Sequence, residues 1–63
     1  MRLERWREPG GTEVGWVVHA NVRIKGTMQV FPWSRSYADH TKEAAIRSFE
    51  NALARDGLEE APQ

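Results

Sequence analysis

From Val14 to Ile24 the chain sets an apolar residue at every even position: Val14, Trp16, Val18, Ala20, Val22 and Ile24. The odd positions pass from Gly15 and Val17 to His19, Asn21 and Arg23, with Lys25 beyond. Alternation of this kind is the mark of a strand with one buried face, and Val, Ile and Trp are residues that strands favour. The segment is therefore the expected central strand. Upstream, Pro9, Gly10 and Gly11 punctuate the chain, so a short first strand over Arg2 to Arg7 pairs back across a turn. Downstream, Lys25 and Gly26 mark a second reversal, in which Gly26 takes the positive φ that hairpin loops require. A third strand then runs from Thr27 to about Phe31, with Pro32 at a strand end or on an edge because it has no amide hydrogen to donate.

The period changes after residue 36. Ala45, Ile46, Phe49, Ala52 and Leu53 fall on one stripe at helical spacing, which predicts a helix along the segment from Ser36 to Leu58. Two starts compete: Ser36 with Asp39 resembles a capping box, and Thr41 is a cap just before the Ala-rich run. The end is marked by Gly57, suited to the left-handed C′ position, with Leu58 beyond it able to pack back on Leu53. The expected fold is α+β, a small three-stranded antiparallel sheet in the order β-β-β-α, with the C-terminal helix packed on the even face of the central strand. Residues 1–58 form this single domain, and 59–63 are a frayed tail.

The other sheet face has no covering element in this scheme, and hairpin register decides what lies on it. A three-residue loop ending at Gly26 puts Phe31 and Trp33 on the uncovered face beside Val17, His19 and Arg23. A two-residue loop of Lys25 and Gly26 flips the parity, sends Phe31 and Trp33 into the core and leaves Met28 and Val30 outside. Trp16 lies on the apolar face and belongs to the core, whereas Trp6 flanks an edge strand and fits either side. In both registers apolar side chains remain on the uncovered side, rimmed by arginine, as at many interaction surfaces. The candidate partner-binding residues are Val17, His19, Asn21, Arg23, Lys25, Phe31, Trp33 and Arg35. Parity makes Arg23 an exposed residue that serves binding and contributes little to folding.

Composition sharpens this picture. Nine basic and nine acidic residues cancel, which removes a large basic excess as an argument for nucleic-acid binding. The charges are nonetheless segregated: Arg23, Lys25, Arg35 and Lys42 against Asp39 give the middle +3, and five acids against Arg47 and Arg55 give the end −3. Segregation of this size orients encounters more than it strengthens them. The chain has no cysteine, so it has neither disulfide staple nor thiolate metal site, and a reducing, cytoplasmic setting is expected. No apolar run reaches the ~18 residues of a membrane span, and the charged start "MRLERWREPG" is unlike a signal peptide.

The candidate chemistry is sparse. His19 and His40 are the only histidines, short of the three or four convergent ligands of a first-row metal site. Asp39 and His40 adjoin but do not face one another in a helical turn, which suits them to helix N-terminal roles. Ser34, Ser36 and Ser48 lack a nucleophile-elbow context, and "PGG" lacks the lysine and helix of a phosphate-cradling loop. Neither an enzyme nor a cofactor is expected.

The element order, with the string "HTKEAAIRSFENAL" (His40 to Leu53) opening the helix after a glycine-turn hairpin, resembles the arm-type DNA-binding domains of phage and transposon tyrosine integrases. These are related in shape to plant AP2 domains. The resemblance covers roughly residues 2–56 and rests on "TKEA" (Thr41 to Ala44) following the strands. It implies a three-stranded sheet laid in the DNA major groove, with Arg23 and Lys25, and Arg5 or Arg7, at DNA-contacting positions. The chain departs from that family in its neutral charge, and no attached catalytic domain is expected.

Two functions follow. The first is a non-enzymatic module that docks its uncovered face or an edge strand on a larger protein as an accessory or inhibitor, small size being common among phage-encoded inhibitors. Homodimerisation is compatible with the same surface. The second is binding of double-stranded DNA through the same face. Neutrality favours the first, because neutralisation of phosphates supplies much of DNA affinity. A membrane partner is not expected.

Overall fold

The computed structural model describes residues 1–62; Gln63, expected with the frayed tail, lies outside the described residues. Three strands come first, β1 (Arg2–Arg7), β2 (Glu13–Ile24) and β3 (Val30–Ala38), then helix α1 (Lys42–Arg55) and a short strand β4 (Leu58–Glu60). The sheet is antiparallel, with β2 at its centre, β3 along one edge, and β1 and β4 end to end along the other. The α+β class and the helix on one face are as the residue pattern predicts.

Alternation holds through the middle of β2 and lapses at its ends, where Ile24 is 39% exposed and Val14 falls out of register. Val18, Ala20 and Val22 are buried beneath α1, against Ala45, Phe49 and Leu53, with Leu3, Trp16, Phe31, Trp33, Tyr37 and Leu58 packed around them. Phe49, Val18 and Val22 are fully buried at 0% exposure, and Phe49 meets the Trp33 ring at a centroid distance of 5.4 Å. Beyond Gly15 the register slips, Trp6 opposing Gly15 while Arg7 opposes Glu13, so Val14 is the extra residue of a bulge. Past that bulge Glu13 bridges Arg5 and Arg7.

The β2–β3 connection is longer than either two or three residues. Arg23 pairs with Val30, and the chain reverses through a turn closed by the Thr27 amide donating to the Ile24 carbonyl at 3.0 Å. Gly26 stands in that turn at φ 82°, where a residue with a Cβ is disfavoured. The third strand therefore runs over Val30–Ala38 rather than from Thr27 to Phe31. Pro32 sits inside it, tolerated because β3 is an edge strand.

Thr41, not Ser36, caps the helix. Ser36 is held in the sheet opposite Val17, Asp39 turns the chain at φ 57°, and the Ala44 amide donates to Thr41 Oγ1 at 3.2 Å. At the far end Gly57 adopts φ 68° and redirects the chain into β4. The expectation of a frayed tail from residue 59 is corrected by this strand. Glu59 pairs opposite Arg23, the Ala61 amide donates to the Asn21 carbonyl at 2.8 Å, and Ala61 is buried. The vacant stretch of β2 edge beyond the start of β1 offers unpaired backbone groups, and the redirected chain satisfies them. No helix among the described residues is long and apolar enough to cross a membrane.

Candidate functional site

Pairing register settles which side chains share the uncovered face, because directly opposed residues of adjacent strands point the same way. Arg2, His19 and Ser34 form one row; Glu4, Val17 and Ser36 the next; Trp6, Gly15 and Ala38 a third. Towards the other end lie Asn21 with Pro32, and Arg23 between Val30 and Glu59. Among the described residues no element covers this face.

Four of the expected site residues are thus gathered there: Val17, His19, Asn21 and Arg23. Lys25 stands in the turn beyond. Phe31, Trp33 and Arg35 are placed otherwise: they oppose Val22, Ala20 and Val18, so they lie on the helix side. The expectation that puts them on the open face is corrected, and the physical reason is the odd-to-even pairing that the actual loop imposes. Phe31 and Trp33 are core neighbours, and Arg35 lies over the Trp33 ring at 5.3 Å. Val30 instead takes an outer position, 55% exposed.

The open face contains residues that the pattern left undetermined or passed over. Alternation in "RLERWR", anchored by Leu3 in the core, sends Arg2, Glu4 and Trp6 outward, a signal readable in β1 once Leu3 is taken as inward-facing. Around the centre the polar groups are joined. His19 Nε2 lies 3.1 Å from Glu4 Oε1 and Nδ1 lies 2.7 Å from Ser34 Oγ. A carboxylate only accepts, so Nε2 carries the proton to Glu4, and in the neutral ring Nδ1 accepts from the Ser34 hydroxyl. The three groups stand in the order of a serine-hydrolase relay, but they lie across a sheet open to water along its whole breadth. What the chain of bonds does is fix the His19 ring between two strands.

Arg23 is also engaged. Its Nε donates to Glu59 Oε1 at 2.8 Å, and Nη2 approaches the same oxygen at 2.6 Å. Arg23 therefore ties β4 to β2, a structural role beyond the purely exposed one expected for it. Arg23 is paired with Glu59, while Glu4 is bonded to His19 and Arg2 makes no ion pair among the described residues, so the face carries two arginines and two glutamates with only one pair in contact. Beside His19, at the start of β1, lies an open groove of about 400 Å³ to which Arg2, His19, Asn21, Pro32 and Ser34 contribute from the open face and Met1, Ala20 and Trp33 from the helix side. Among the described residues no cluster of three or more His, Asp or Glu side chains is placed to hold a metal ion. Comparison of the chain with protein-family models, with curated proteins and with solved structures gives no match.

Proposed function

We propose that this chain is a non-enzymatic protein-binding module, an accessory or inhibitor that docks on a larger protein through the uncovered sheet face around His19. The observation that carries this reading is the make-up of the face: Trp6, Val17, Val30 and Pro32 beside a hydrogen-bonded polar centre, with two arginines against two glutamates. An aromatic and apolar surface with fixed polar groups and no net charge suits a protein surface. Duplex DNA asks for uncompensated cations, and the basic middle segment does not supply them to this face: Arg35 lies on the helix side, Lys25 in the turn, and Arg23 is paired with Glu59.

The test uses an exposed position whose side chain makes no hydrogen bond in the fold. Asn21→Glu leaves the melting temperature within about 2 °C of wild type, as surface changes normally do. A tagged wild-type chain is expected to retain a discrete host protein that the Asn21→Glu chain loses, while titration with duplex DNA at 50 and 200 mM salt gives no micromolar binding. DNA binding that falls steeply with salt overturns the reading in favour of the integrase-like one. Retention of the same host protein by the variant overturns the assignment of the face.

A further inference from the structure

On the opposite side of the molecule, α1 and β3 do not close completely over one another. Between them runs a groove of about 320 Å³, lined by Arg35 and Tyr37 from β3 and by Ser48, Asn51, Ala52 and Arg55 from α1. The helical contributors recur at intervals of three and four residues, which is one face of a helix, and Arg35 and Tyr37 occupy alternate, same-face positions of the strand. The two elements therefore turn their polar residues into one channel, with buried Ala52 as its floor.

We propose that this groove binds a phosphoryl group between Arg35 and Arg55. Arg35, Ser48, Asn51 and Arg55 can each donate a hydrogen bond into it, and none of the lining residues is a carboxylate. Arg35 has no acidic partner within ion-pair distance among the described residues; its guanidinium lies over the Trp33 ring, an arrangement that keeps the in-plane N–H groups available. Arg55 meets only the carboxylate of its neighbour Asp56, through Nε at 3.3 Å, which leaves its terminal nitrogens for a ligand. The Tyr37 hydroxyl is closed off from solvent and has no hydrogen-bonding partner, so Tyr37 contributes the side of its ring to the groove wall and not a donor. Two guanidinium groups match the two negative charges of a phosphomonoester better than the single charge of a carboxylate, and Ser48 and Asn51 suit its third oxygen. The site is independent of the open sheet face.

The phosphoryl group could be carried by a small molecule or by a phosphorylated side chain, and the experiment separates these sources. The folded chain is titrated with inorganic phosphate, O-phosphoserine and a phosphoserine heptapeptide, with acetate at matched ionic strength as control, while the arginine Nε–H and backbone amide resonances are followed by NMR. Saturable shifts at Arg35 and Arg55 are expected for the phosphates, with a dissociation constant on the order of 1 mM or tighter, and acetate at least about tenfold weaker. Arg35→Gln and Arg55→Gln are each expected to weaken binding at least about tenfold. Tyr37→Phe, which keeps the ring and removes only a hydroxyl closed to the groove, and Arg7→Gln, away from the groove, leave it unchanged. A peptide at least tenfold tighter than phosphoserine identifies a phosphorylated partner; equal affinities identify a small ligand. Shifts that stay linear with phosphate, or affinity undiminished in the folded double variant R35Q/R55Q, overturn the proposal.

Discussion

Phe49 is the residue on which the two layers meet, fully enclosed between β2 and the Trp33 ring. Phe49→Ala is expected to cost about 3–5 kcal/mol, enough in a domain of this size to abolish a cooperative thermal transition followed by circular dichroism. Gly15 is constrained from a different direction. A Cβ there would overlap the Tyr37 carbonyl of β3, so Gly15→Ala must push the edge strand away, with an expected loss of about 1–3 kcal/mol in urea unfolding. At Arg23 the outcome differs from what parity alone implies. Arg23→Glu sets a carboxylate against Glu59 and is expected to lower stability by about 1 kcal/mol, whereas Arg23→Gln, which keeps a donor, loses less. The inward residues from Trp16 to Val22 were legible from alternation alone, whereas Val14 and Ile24, read the same way, lie outside the core because a bulge and the strand end displace them. The sides taken by Phe31, Trp33 and Arg35 were not, because face depends on register, and register here depends on a connection in which Met28, 89% exposed, has no packing preference to reveal its length.

Among the elements, α1 was readable from its apolar stripe and Gly57, and its start was the open question. Thr41 has the extended backbone of an N-cap and accepts from the Ala44 amide; Thr41→Ala is expected to cost about 1 kcal/mol, read as a lower urea midpoint with unchanged m-value. Ser36 competed as a cap because Pro32 argues for a strand end and the inward series Phe31, Trp33 and Tyr37 is interrupted by Arg35, which hides the continuation of β3. The strand β4 is the element the pattern concealed. Three residues are too few to display a period, and two of them are glutamates, poor strand formers. Its pairing arises from tertiary context: Gly57 aims the chain, Lys25 donates its amide to the Gly57 carbonyl at 3.1 Å, and Arg23 and the amino terminus of Met1 receive the two acids.

Taken whole, the molecule is an elongated rod, 43 × 17 × 15 Å, with one face of its sheet committed to packing under the helix and the other left to water. The two candidate sites lie on opposite sides of the sheet, so loss of one function by substitution is expected to spare the other. The strand arrangement also bears on how the fold assembles. The hairpins β1–β2 and β2–β3 pair residues near in sequence, as Arg7 with Glu13 and Arg23 with Val30, whereas Arg23 and Glu59 lie 36 positions apart. Closing that longer loop costs entropy before any contact rewards it, so β4 docks after the barrier has been crossed. Stopped-flow chevrons should then show Leu58→Ala accelerating unfolding about tenfold with little change in the folding rate, a φ-value near zero, while Val18→Ala at the centre of β2 slows folding. An equal slowing by Leu58→Ala would place β4 inside the folding nucleus. If it stays outside, the short strand acts as a latch: it adds little to how fast the native state is reached and much to how long each molecule remains in it.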